Sequence, residues 1–178
     1  MMQYLRNNIG TPAHSGFIPK GLLGFKSFIG YQYDPIQAKE LLTAAGYPKA
    51  KGIPIIHLNT TSSYVDLCEY IQHSWEKLGF KVEINVTPPS THRKQVSMSE
   101  LSIFRGSWIA DYADAENYLA LFYSKNHSPN GPNYTHFSDA SFDSLFEECI
   151  QLPNIDDRVP FYEEMDSIII AQAAIIPL

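Results

Sequence analysis

The residues best suited to chemistry lie together in Phe104-Arg105-Gly106-Ser107-Trp108-Ile109-Ala110-Asp111, continued by Tyr112-Ala113-Asp114-Ala115-Glu116-Asn117-Tyr118-Leu119. A strand that ends in Trp-x-x-Asp, with an arginine three residues before the tryptophan, sets an aromatic face, an anion and a cation at a sheet edge. Such a group suits a zwitterion. Asp111 could hold an ammonium through a charge-assisted hydrogen bond worth about 1.5–3 kcal/mol. Arg105 could grip a carboxylate as a planar two-pronged donor. Each residue also has a plainer reading: Asp111 as a turn or cap aspartate, Arg105 as a surface or ion-paired cation, Trp108 as a core residue at a strand end.

Other chemistries find less support. His57, His73, His92, His127 and His136 show no His-x-x-x-His spacing and no accompanying cysteine pair, so neither a metal site nor a cofactor is expected. Cys68 and Cys149 each sit in an apolar helical pattern, where a buried small hydrophobe is the ordinary role, with a disulfide left open. There is no Gly-x-Ser-x-Gly elbow, zinc motif or catalytic-cysteine context, and the chain is not expected to be an enzyme. Tyr118, Phe122 and Tyr123 have helical spacing and read as core.

The elements that must position the 104–119 stretch follow a clear order. Asp34-Pro35-Ile36-Gln37 supplies a cap, a proline at the first helical position and a glutamine able to bond back; Ala38, Leu41, Leu42 and Ala45 share one face, and Gly46 stops the helix. Residues 53–59 read as a strand and residues 63–78 as an amphipathic helix, with Val65, Leu67, Cys68, Ile71, Trp75 and Leu78 inward. Residues 80–86 alternate Val82, Ile84 and Val86 against Lys81, Glu83 and Asn85, giving a β-α-β unit with parallel strands. Residues 87–99 read as a polar connector and 101–109 as a further strand. Helices are expected again at 141–151 and 156–173, each after a capping residue. The fold class is α/β, a mixed sheet with flanking helices.

Composition bounds the rest. With 178 residues, 44% hydrophobic and 18% charged, the chain can bury a core of its own and is not a disordered sequence. Its net charge of -6 carries no basic block, which argues against nucleic acid as a partner. No apolar run approaches the ~18 residues that a membrane span needs. Residues 1–33, with glycines and prolines at close intervals, read as a connector laid over another body, and 34–178 as a ligand-binding lobe. The absence of a secretory core at the N-terminus and the strand-like Ala174-Ile175-Ile176-Pro177-Leu178 at the other end suggest cuts at both ends.

In that order, several short motifs resemble the extracytoplasmic solute-binding proteins of peptide ABC importers, the dipeptide- and oligopeptide-binding family. They are Gly16-Phe17-Ile18-Pro19-Lys20-Gly21-Leu22, Tyr33-Asp34-Pro35 through Ala45-Gly46-Tyr47, the Trp108 to Tyr112 stretch, Asn133-Tyr134, Phe142-Asp143-Ser144-Leu145, Arg158 to Tyr162, and Ala174 to Leu178. The resemblance implies a periplasmic-binding-protein type II-like lobe, incomplete, cut before the return to a first lobe. It implies that Asp111 binds a peptide's free amino terminus, that Trp108, Ile109 and Ala110 line the site, and that Arg105 meets the carboxyl end of short peptides. Lys20 stands where the family has a second proline, and Ala113-Asp114 where a proline is common, which leaves the loop's conformation open.

The implied partners are a peptide ligand and the permease subunits of the importer in the membrane, with the binding protein a monomer. It would work outside the cytoplasmic membrane, with lipid anchoring through a missing N-terminus as one means of attachment. The same family also carries nickel chelates, heme, opines and sugars, and a non-transport interaction module on the same fold is the remaining alternative.

Overall fold

The structure, a computed structural model, describes residues 15–27 and 30–178. The earlier part of the expected connector lies outside the described residues. The chain divides into two compact units, one holding residues 33–96 and 100–106, the other residues 97–99, 107–178 and the described part of 12–32.

The first unit is built on a three-stranded parallel sheet. β1 (Ile56–Thr60) lies in the centre, with β2 (Val82–Val86) on one side and β3 (Ile103–Phe104) on the other. β1 and β2 pair in the register Leu58 to Ile84, and β1 and β3 in the register Leu58 to Ile103. The helix α2 (Val65–Glu76) crosses between β1 and β2, as the alternation of the sequence requires. Its inward side meets the sheet in a small core of Leu58, Cys68 and Val82, with Ile56, Ile71, Trp75, Phe80 and Ile84 packed around it. Gly79 follows α2 at φ 103°, and a Cβ there would run into the Lys49 carbonyl, so glycine is needed for both conformation and space.

Asn59, buried in the central strand, binds the sheet from within. Its Nδ2 donates to the Ile103 carbonyl at 2.8 Å, and its Oδ1 accepts from Asn85 Nδ2 at 3.3 Å, so one amide touches both neighbouring strands.

Two sequence expectations change in this unit. Residues 87–99 are not a connector, because α3 (Pro89–Ser97) forms there with His92 and Val96, four apart, buried on one side. Pro88-Pro89 reads as a break, yet proline at a helix start costs nothing, since the first N–H groups have no intrahelical partner. The strand expected over 101–109 is cut to Ile103–Phe104; only the Arg105 N–H, donating to the Asn59 carbonyl at 2.9 Å, extends its pairing. The helix α1 (Pro35–Ala44) forms as expected, with Asp34 Oδ1 accepting from the Ile36 and Gln37 N–H groups, and none of its residues is buried among the described residues, Leu41 being 63% exposed.

The second unit is helical. α4 (Glu116–Leu119), α5 (Ala140–Cys149) and α6 (Ile155–Ala171) surround an aromatic core of Phe122, Phe137, Phe142, Phe146 and Tyr162, closed by Ile18, Leu119, Met165 and Ile169. The Phe122 ring meets Phe137 and Phe142 edge-on, an arrangement in which the positive edge of one ring faces the negative face of another. Asp139 and Asn154 cap α5 and α6 through bonds from the Phe142 and Asp156 N–H groups, as expected. Residues 174–178 form no strand among the described residues, where the sequence suggested one beginning. Cys68 and Cys149 are both buried free thiols, so the disulfide left open by the sequence is not formed.

Candidate functional site

After Gly106 the chain leaves the sheet and runs irregularly to Ala115. The backbone of residues 108–111 makes no hydrogen bond among the described residues, so four consecutive peptide groups keep unused donors and acceptors. Along this run the side chains alternate in exposure. Trp108 is half-buried against the aromatic core, Ile109 is 89% exposed, Ala110 is half-buried and Asp111 is exposed. The carboxylate of Asp111 has no hydrogen-bond or ion-pair partner among the described residues. An open recess of about 390 Å³ is lined by Ile109, Ala110, Tyr112, Ala113, Tyr118 and the connector residues Pro19 and Leu22, and Asp111 is not part of its lining.

This exposed run is held from behind. Trp108 Nε1 donates to Oδ1 of the buried Asn117 at 2.7 Å, which fixes the indole plane. Three residues past Asp111, Asp114 turns inward. Its Oδ1 accepts from the Tyr162 hydroxyl at 2.6 Å and from the Glu116 N–H at 3.0 Å, while Oδ2 lies 3.6 Å from Arg158 Nη1. Burial, reinforced by the Asp114 carboxylate that the hydroxyl serves, pushes the Tyr162 phenol well above its usual range and keeps it a donor. Nearer the surface, the Tyr112 hydroxyl donates to Glu116 Oε2. Asp114 was not singled out by type or spacing, although it stands where the resembled family commonly has proline. The structure gives that departure a physical role, since a carboxylate with three partners fixes the loop that a proline would otherwise stiffen.

Arg105 belongs to the other unit. Its backbone is pinned on both sides, the N–H to Asn59 and the carbonyl accepting from Nε2–H of the buried His92 at 3.0 Å. Its guanidinium lies over the Tyr64 ring, with Cζ 3.4 Å from the centroid. Trp108, Ile109, Ala110 and Asp111 are thus brought together in one unit, and Arg105 is held in the other. His92 and Tyr64 were not read as site residues. Their signal was only a histidine four residues before a valine and a tyrosine at a helix start.

The connector is tied into the helical unit by Asp166 of α6. This carboxylate is fully buried, accepts from the Phe17 N–H at 2.6 Å through Oδ1, and leaves Oδ2 without a partner. Desolvation raises its pKa, against the lowering by the Phe17 and Ile18 N–H groups. A Cβ at Gly16 would collide with this carboxylate.

A family model described as bacterial extracellular solute-binding proteins, family 5 Middle, matches residues 1–130. The chain belongs to this family. Heme-binding protein A of Haemophilus influenzae is 30% identical over 83% of the chain and 28% of that relative. The glutathione-binding protein GsiB of Salmonella choleraesuis is 26% identical over 94% of the chain and 34% of that relative. Among solved structures, the periplasmic binding protein DppA from Helicobacter pylori in complex with the peptide STSA aligns at a TM-score of 0.81, with 25% identity, over 93% of this chain and 33% of that one. A dipeptide binding protein from Pseudoalteromonas sp. SM9913 in complex with Met-Leu aligns at 0.86, with 24% identity, over 97% and 35%. The fold is therefore that of type II periplasmic binding proteins, and the chain spans about a third of the length of the relatives it matches. No helix among the described residues is long and apolar enough to cross a membrane.

Proposed function

We propose that this chain is one ligand-binding lobe, with residues 1–33 as its connector, of a two-lobed substrate-binding protein that captures short peptides outside the cytoplasmic membrane and passes them to an ABC permease. The supporting observation is the run from Trp108 to Asp111. An extended ligand main chain can bond to its unused peptide groups in the manner of an added strand, and the partnerless Asp111 carboxylate at its end suits an ammonium. Trp108, Ile109 and Ala110 line the ligand, and Arg105 takes a carboxylate. Main-chain bonding of this kind is indifferent to side-chain identity, so the protein selects by the free amine and by length. Ligand binding stabilises the closed form of the two lobes, which is the form the permease engages.

The relatives named for heme and glutathione keep other solutes in view. An exposed acid favours those with a free ammonium. Calorimetric titration of the whole two-lobed protein with trialanine, and with N-acetylated trialanine, tests the assignment. Removal of the ligand's charge, or Asp111→Asn, should each weaken binding by about 1.5–3 kcal/mol, roughly ten- to a hundredfold, and the two losses should not add. Equal affinity for both peptides would overturn it.

A further inference from the structure

The stacking of Arg105 on Tyr64 points to a residue that no sequence motif marks. We propose that Tyr64 is a positioning residue that presents the Arg105 guanidinium to the carboxylate of the ligand. The inference rests on the reading of Arg105 given above and adds to it how the cation is held.

Arg105 is held through both its backbone and its side chain. The backbone N–H is bonded to the central strand through the Asn59 carbonyl at 2.9 Å, and the carbonyl is bonded by His92 at 3.0 Å. The side chain lies over the Tyr64 ring with Cζ 3.4 Å from the centroid, a height at which a near-parallel guanidinium avoids overlap of its nitrogens with the ring. Stacking engages the face of the guanidinium and consumes none of its in-plane N–H donors, which are the groups that recognise a carboxylate in bidentate fashion. A long side chain ordinarily loses rotamer freedom when it grips a ligand. An aromatic platform beneath it makes that ordering part of the free protein, so less is lost on binding. Tyr64 is itself half-buried at the end of the short turn Ser62–Tyr64, where α2 begins, and is therefore carried by the same sheet unit as Arg105.

The test compares trialanine with trialanine amide, which lacks the terminal charge, on the whole two-lobed protein by calorimetric titration. The ratio of the two affinities reads the carboxylate contact alone and is insensitive to a partly misfolded sample. Tyr64→Leu should lower the ratio about threefold or more, chiefly by weakening the free acid, and Tyr64→Phe, which keeps the ring face, should leave it within about twofold. Arg105→Lys keeps the charge without a plane to stack, and should lower the ratio in a way that Tyr64→Leu does not deepen. If Arg105→Ala leaves the ratio unchanged, or the unaltered protein shows no preference for the free acid, the reading of Arg105 falls and Tyr64 with it. If Arg105→Ala collapses the ratio but Tyr64→Leu does not, or weakens acid and amide equally, Arg105 stands and the positioning role of Tyr64 is overturned.

Discussion

The Tyr162 hydroxyl, rooted in α6, donates to Asp114 Oδ1 at 2.6 Å, and through this bond the loop that carries Asp111 is fastened to the core of its unit. The phenol body is fully buried and the acceptor is shared with the Glu116 N–H, so neither group can turn to water without disturbing the other. Asp114 and Arg158 side chains retain only 17% and 22% exposure, which makes their 3.6 Å ion pair more than a screened surface contact.

Tyr162→Phe removes the donor and leaves Asp114 short of one partner. The expected loss of stability is about 1–3 kcal/mol, read from the urea midpoint. Asp114→Ala removes three partners at once and should cost more. Because the two residues share one bond, the double variant should be less destabilised than the sum of the single losses.

Asp166 gives the chain a pH dependence of defined sign. Its folded pKa is raised above the usual aspartate value of 3.8, so in the window from about 3.8 up to the folded value the native state binds more protons than the unfolded chain. This group's contribution to stability therefore falls as pH rises through the window and recovers as pH falls. Asp139 and Glu147 have lowered values and act in the opposite sense at the acid end, so the informative quantity is a difference. Urea midpoints of the protein relative to Asp166→Asn should rise as pH is lowered from 7 to 4. A constant difference across that range would show that the raised pKa has no part in stability.

Gly16→Ala tests the same anchor from the other side. A methyl group there meets the Asp166 carboxylate, and the connector must move to make room. Overpacking of this kind typically costs about 1–3 kcal/mol. Thermal melting should show the loss, and Gly21→Ala, with nothing near its Cβ position but a φ of 104° that an L side chain rarely adopts, should lose stability through backbone strain alone.

The 178-residue chain alone, which has a core in each unit, should fold but bind short peptides weakly, because a ligand held by one lobe keeps its other face in water. Titration with trialanine should give a dissociation constant well above micromolar. Low-micromolar binding by the isolated chain would contradict the two-lobed account.

Much of the fold was legible because its periodicity was local. The β-α-β alternation from Ile56 to Val86 and the capped helices at Asp139 and Asn154 are written in neighbouring residues, and they form with bounds shifted by a few positions. What escaped was set by distant partners. β3 is short because Gly106-Ser107 ends the alternation and the chain passes to the other unit, and α3 hides behind two prolines that a helix start tolerates. Arg105, Trp108 and Asp111 stood out by type and spacing, and Ile109 and Ala110 only through the resemblance. Their supports did not, since Asn117, Asp114, Tyr162 and Asp166 are ordinary residues until a contact 9, 48 or 149 positions away gives them a role. The apolar face expected of α1 shows the converse, a periodic pattern that the described residues leave exposed.

Native mass spectrometry of the whole two-lobed protein, purified from its host without added ligand, tests the central claim most directly. The account predicts a ladder of co-purified short peptide masses that disappears in Asp111→Asn while the protein stays folded. A single non-peptide mass retained in both proteins, or an empty protein in both, would contradict it.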